Sequence, residues 1–193
     1  MFHMRVVIVV AALASLLPAP SPTRGAEEPA AVKHQITGLF SVDREDDLRE
    51  AVAAIPHVRL VSIDFKNAEA SFIYDAGKAF PGAKPEQIVD RLDQLLKNAS
   101  HHTFGVKALR TTPADRLAQV DIPVIGLDCK GCAWAAYQSV YRIEGVEMAT
   151  VSFKEGRVTA LIEKGRTNRE ALETALRNKG VRIKEPEKEK QPK

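Results

Sequence analysis

Apolar positions along the chain change period several times, and each change marks an element. Leu48, Val52 and Ile55 recur at helical spacing among Arg44, Glu45, Asp46, Asp47, Arg49 and Glu50, which predicts a helix over 44–55 with one dry face. Ser41 or Asp43 is suited to cap it, acidic residues in its first turn suit the positive end of a helix, and Pro56 ends it. Val61, Ile63 and Phe65 then alternate, predicting a strand over 58–65. Asn67-Ala68 reads as a turn and 70–74 as a second strand. A loop rich in Gly and Pro over 76–84 leads to Pro85, which opens a helix carrying Ile88, Val89, Leu92, Leu95 and Leu96. Short strands over 35–39 and 103–109 complete the order β-α-β-β-α-β.

The second half repeats the first. Adding 88 to each number from Gly38 to Asp75 brings Gly38-Leu39 onto Gly126-Leu127, and Leu48, Val52, Ile55 and Val58 onto Ala136, Val140, Ile143 and Val146. Ile63, Phe65 and Lys66 fall on Val151, Phe153 and Lys154. The match keeps a 3.6 period and a 2 period in register without a gap, which chance rarely does. The second copy therefore predicts strands over 120–125, 149–153, 158–162 and 181–184, and helices over 132–143 and 168–178. Thr167 or Asn168 caps the last helix and Gly180 stops it. The fold class is α+β, two tandem ferredoxin-like βαββαβ domains, each a four-stranded sheet with two helices on one face. The domains span 34–110 and 119–184, joined by a linker over 111–118. A disordered lead-in over 26–33 and a charged tail over 185–193 flank them.

The N-terminus reads as an export signal. Arg5 precedes a mostly apolar run from Val6 to Leu17, too short to span a bilayer, and Pro18, Pro20 and Pro22 follow it. Thr23-Arg24-Gly25 suits cleavage after Gly25, so 1–25 is a signal peptide and the body is expected to be periplasmic or secreted. Removing 1–25 takes away Arg5 and Arg24, lowering the net charge from +3 to +1. No basic stripe with interleaved aromatics points to nucleic acid.

Export sharpens the reading of the only two cysteines, Cys129 and Cys132. A disulfide across two intervening residues restricts the unfolded chain little, so the pair is not there for stability. Cys129 falls in the turn after a strand and Cys132 in the first turn of a helix. Free backbone N–H groups and Lys130 there favour thiolate, which both soft-metal binding and disulfide exchange require. No Ser-His-Asp context, phosphate loop or paired carboxylates points to catalysis, and the chain reads as a non-enzyme.

Residues 119–184 resemble the heavy-metal-associated (HMA) domain of copper chaperones, metal-pumping P-type ATPases and the periplasmic mercury-binding protein. The family motif Gly-Met-x-Cys-x-x-Cys is answered by Gly126-Leu127-Asp128-Cys129-Lys130-Gly131-Cys132, with Gly145-Val146 and the Ala149-x-Val151-x-Phe153 strand following. The resemblance implies a metal ion held by the sulfurs of Cys129 and Cys132 near the surface and passed on by ligand exchange. It also implies a metal-transporting membrane protein or another metal carrier as partner. Leu127 replaces the family's Met and should fill the same space. Val181 stands where copper chaperones carry Tyr or Lys. Asp128, a candidate third ligand, resembles the pattern of zinc, cadmium and lead exporters; carboxylate oxygen suits a harder divalent ion, whereas two thiolates alone suit Cu(I) or Hg(II). The ion is of the Zn(II), Cu(I) or Hg(II) class.

The first copy has Ser41 and Arg44 where the second has Cys129 and Cys132, and so should not bind metal by this route. It reads as a packing partner, spacer or docking surface. His101-His102 reads as a polar loop before a strand, and His34 and His57 as polar surface. Trp134, Tyr137 and Tyr141 follow the cysteines at helical spacing; Trp134 and Tyr141 are expected to be half-buried against the other copy or to form a docking patch. Glu163 and Asp75 read as solvated strand ends. The chain is thus expected to be an exported metal-ion scavenger, buffer or metallochaperone. A thiol-disulfide protein using the same pair, or a non-catalytic interaction module, remains the alternative.

Overall fold

A computed structural model describes residues 30–127 and 129–184. The expected signal peptide, the first half of the expected lead-in, Asp128 and the expected tail lie outside the described residues. The first domain contains β1 (Val32–Thr37), α1 (Glu45–Ala53), β2 (Val58–Asp64), β3 (Glu69–Tyr74), a helical turn α2 (Ala76–Ala79), α3 (Ile88–Ala99) and β4 (Gly105–Lys107). The second contains β5 (Leu117–Ile125), α4 (Lys130–Tyr141), β6 (Val146–Ser152), β7 (Arg157–Glu163), α5 (Arg169–Asn178) and β8 (Arg182–Ile183). The sheet orders are β2-β3-β1-β4 and β6-β7-β5-β8, and every pairing between these strands is antiparallel. These are two tandem ferredoxin-like domains.

The internal repeat extends to backbone conformation. Gly38 and Gly126 have φ of 84° and 83°, His57 and Gly145 of 62° and 87°, Ala68 and Gly156 of 52° and 56°. All three pairs are 88 apart. Side-chain burial repeats as well: Leu48 and Ala136, Val52 and Val140, Phe72 and Ala160 are closed to solvent in their respective cores. At Gly38 the left-handed turn also presses against the Thr103 carbonyl, leaving no room for a side chain.

Several boundaries differ from the sequence reading. β1 begins at Val32, inside the expected lead-in, and β5 at Leu117, inside the expected linker. β4 is only three residues long. The loop over 76–84 contains the α2 turn, because the Asp75 carboxylate accepts from the Gly77 and Lys78 N–H groups. Ser41 makes no capping bond to the backbone; its hydroxyl donates to Asp43 instead. Val61 is 44% exposed, because pairing slips between Leu60 and Ser62 and a bulge breaks the alternation there. Glu163 is buried rather than solvated, paired with Arg116 at 2.5 Å and Arg166 at 3.3 Å.

His34 is also buried, at 5% exposure, with Nε2 3.2 Å from the Tyr74 hydroxyl and its ring against Phe72. Its counterpart 88 residues on is Ile122, fully enclosed in the second core. A polar ring thus occupies an apolar core position. Burial pulls its pKa below the ordinary 6.5, favouring the neutral form. The native state then binds fewer protons at this site than the unfolded chain. The His34 contribution is complete above pH 6.5 and is lost as pH falls through the lower native value. Urea titrations of the wild type and His34→Ile should diverge as pH falls from 7 to 5, the wild type losing more; parallel curves would mean that the buried ring does not titrate.

The domains are docked. Phe40, from the first domain's β1–α1 loop, is 2% exposed and belongs to the second domain's core rather than its own. Its ring meets Trp134 and Tyr137, each with centroids 5.6 Å away. Its carbonyl accepts from Val151 N–H at 2.7 Å, and the buried Tyr137 hydroxyl oxygen accepts from Gly38 N–H at 2.7 Å. Burial pushes the Tyr137 phenol well above its ordinary pKa, so it stays protonated. Glu147 is skipped by the β6–β7 pairing; its carbonyl accepts from the Gln35 side chain of the first domain and its carboxylate from the Thr112 hydroxyl of the linker. β6 is an edge strand, and the first domain covers part of that edge. Trp134 and Tyr141 are half-buried here, Tyr141 beneath the Lys107 ammonium.

Candidate metal centre

β5 delivers the chain to a left-handed Gly126, Leu127 turns into the core at 6% exposure, and Cys129 caps α4. Leu127 thus fills the space expected of the family's Met. Cys129 is exposed and Cys132 half-exposed. Their Cα atoms are 5.1 Å apart and the two sulfurs are joined as a disulfide. The Cys129 sulfur also accepts from the Cys132 backbone N–H at 3.0 Å. The two sulfurs therefore converge at a helix N-terminus open to solvent, where aligned N–H groups favour negative charge on sulfur.

Asp128 lies outside the described residues, so the described donor set is two sulfurs. Among the described residues no group of three or more His, Cys, Asp or Glu side chains is arranged to hold a metal ion. His101 and His102 are exposed and adopt consecutive left-handed conformations, φ 50° and 61°, in the turn that ends α3. Two sulfurs suit a soft ion content with linear coordination, whereas Zn(II) would need two further ligands from elsewhere.

The equivalent turn of the first domain is filled. Arg44, at the Cys132 position, places its guanidinium carbon 5.6 Å from the centroids of both Phe40 and Phe104 and pairs with Asp47. A fixed organic cation holds the turn that in the second domain carries two sulfurs. The same cation backs Phe40, which anchors the domain contact. Sequence reasoning set Arg44 on the wet face of the helix and read it as a residue unable to ligate; its side chain is instead only 16% exposed, held between two rings. Its stacking between two aromatic rings needs a planar guanidinium. Arg44→Lys should therefore cost about 1–2 kcal/mol in chemical denaturation; an unchanged midpoint would reduce Arg44 to a space filler.

Lys130 was read from the sequence as a positive neighbour of the cysteines, but Arg182 was missed. β8 pairs with the end of β5, Val124 to Ile183 and Ile125 to Arg182. The Arg182 guanidinium lies over Gly126, where a side chain's first carbon would come within 3.5 Å of it. Val181, the expected neighbour, is half-buried against the core.

Fold and cysteine turn together define the class: tandem ferredoxin-like domains, with a Cys-x-x-Cys turn in the second copy and none in the first. No protein-family model matches the chain, and no curated protein does. Among solved structures, a CopZ metallochaperone is 23% identical, the match covering 34% of this chain and 98% of that one with a TM-score of 0.34. Oxidized MerP from Ralstonia metallidurans CH34 is 20% identical, covering 35% and 94%, with a TM-score of 0.34. The N-terminal soluble domains of Bacillus subtilis CopA are 16% identical, covering 84% and 97%, again with a TM-score of 0.34.

Proposed function

We propose that this chain is an exported carrier of a soft metal ion, held by the thiolates of Cys129 and Cys132 and handed on to another metal-binding protein. The observation that carries this reading is the convergence of the two sulfurs on an exposed turn at the start of α4. Loading requires the reduced pair. A thiol reductant supplies two electrons, two protons enter as the S–S bond opens, and the incoming cation displaces those protons from sulfur. Release runs through ligand exchange: a partner's thiolate adds to the ion before the first sulfur leaves, so the ion is never bare. Two-coordinate binding leaves room for that third ligand, which favours Cu(I) or Hg(II) over Zn(II). Asp128 would add a harder donor and shift the preference toward a divalent ion. Export rests on the apolar run Val6–Leu17, and the proposed working compartment is the periplasm or the exterior. The chain acts as a carrier rather than an enzyme.

Native mass spectrometry of reduced protein with Cu(I), Hg(II) and Zn(II) tests this, with one retained soft ion per chain expected. Absence of any retained ion would overturn it. The disulfide joining the pair favours a second reading, thiol-disulfide exchange; insulin reduction driven by the chain, with no retained metal, would select it.

A further inference from the structure

In the second copy, the chain that precedes the domain packs into a groove beside the edge strand β6. Phe40 lies on Tyr137, the Lys107 ammonium over Tyr141, and the Gln35 and Thr112 side chains on the carbonyl and carboxylate of Glu147. The 88-residue offset carries Tyr137, Tyr141 and Glu147 back onto Arg49, Ala53 and Arg59. There the first copy has the same groove, open among the described residues, with a volume of about 320 Å³ and walls of Arg49, Val52, Ala53, Val58, Arg59 and Leu60. It runs beside β2, the edge strand of the first sheet, on which Val61 stands 44% exposed. Two rings and a carboxylate in one copy are thus answered by two guanidinium groups and a methyl in the other. Arg49 meets Glu45 of its own helix only at 3.7 Å.

Chemistry and reach select what fits there. Two cations beside apolar walls suit a segment bearing carboxylates. The chain entering the first domain is Ala26-Glu27-Glu28-Pro29, just ahead of the described residues. Thr112 reaches Glu147 from five residues before β5, past β7; Glu27 also stands five residues before its strand, β1, with β3 to pass. Val32 pairs with Phe72 and Phe72 with Leu60, so two strand spacings, about 10 Å, separate the start of β1 from the groove wall. Four or five extended residues span about 13–17 Å. The tail over 185–193 also carries glutamates, but it leaves from β8, at the edge of the second sheet opposite β6 and the first domain.

We propose that Ala26–Pro29 crosses the end of β3 and seats Glu27 and Glu28 on Arg59 and Arg49, as a strap over the edge of β2. The edge strand of each copy is then covered by the chain that enters that copy. An edge so covered no longer offers itself for pairing with another chain. The proposal is independent of metal. It rests on the export reading only for where the segment begins, since cleavage after Gly25 leaves these four residues as the N-terminus.

Zero-length carbodiimide coupling tests it, because this reagent joins only a carboxylate and an amine already in contact. In the chain from Ala26 to Lys193 carrying Arg59→Lys, Glu27 or Glu28 should link to position 59 within one monomer. The yield should be about tenfold that of any link from the same glutamates to Lys66, at the far end of β2, and should fall at about 0.5 M salt. Glu27→Gln with Glu28→Gln should remove the link. With Arg59 in place, hydrogen exchange over 58–64 should run about tenfold faster in Glu27→Lys with Glu28→Lys, and in Arg59→Glu, and return toward wild type when the reversals are combined. Equal linking to Lys66, or exchange indifferent to the reversals, would overturn the inference. So would links between two chains, which give the groove to a second copy, or links from Glu185, Glu187 or Glu189, which give it to the tail. The mass of the exported protein checks cleavage separately: another N-terminus with the link intact removes the export boundary and leaves the strap.

Discussion

On the carrier reading, replacing Cys129 by Ser is expected to abolish retention of Cu(I) and Hg(II), with affinity falling by on the order of a thousandfold or more. The size of the effect follows from the donor set. The described residues offer two sulfurs and no third ligand, so removing one leaves a single thiolate and a hydroxyl that is a poor donor to a soft ion. Cys132→Ser should be as damaging for metal, yet the two variants should differ in stability. Cys129 caps α4 through its sulfur, and a Ser hydroxyl is a better cap, so Cys129→Ser should leave reduced-state stability unchanged or slightly raised. Competitive titration against a chromogenic chelator measures the affinities and urea unfolding under reductant the stabilities. A Cys129→Ser variant that binds within tenfold of wild type would mean that the ion is held elsewhere.

How much of this was legible in the sequence depends on which forces set each feature. Element order and the repeat were legible because they rest on local periodicity, and the 88-residue offset carries both periods through a helix and two strands. The cysteine turn was legible because its place between a strand and a helix decides where the sulfurs go. What stayed hidden depends on contacts between elements far apart in the chain. His34 looked like surface when taken alone. Extending the offset four residues before Gly38 would have set it opposite Ile122 and marked it as core. Phe40 gave no such signal, since its counterpart is Asp128, and one apolar residue in a turn does not say which surface will cover it. Arg44 was hidden for the same reason: its two aromatic partners come from either side of α1 in sequence, at 40 and 104. The bulge at Val61 and the skipped Glu147 are features of sheet pairing, which alternation alone cannot locate.

The interface those contacts build makes the second large effect one of stability. Phe40→Ala should cost about 3–5 kcal/mol, the range for truncating a fully enclosed Phe. The loss falls on the second domain's core although the residue belongs to the first domain's chain. The variant keeps the main-chain carbonyl that pairs with Val151 but loses the ring that seats it there and backs the Arg44 guanidinium, so the edge of β6 and the first domain's turn loosen together. The wild type is therefore expected to unfold in urea as one cooperative unit, and Phe40→Ala in two steps, one per domain. Trp134 is the chain's only tryptophan and sits against Phe40, so its fluorescence reports opening of the interface, while far-ultraviolet circular dichroism follows both domains. Coincident transitions in the wild type that separate in Phe40→Ala are the expected result. Separate transitions already present in the wild type would mean that the domains fold independently.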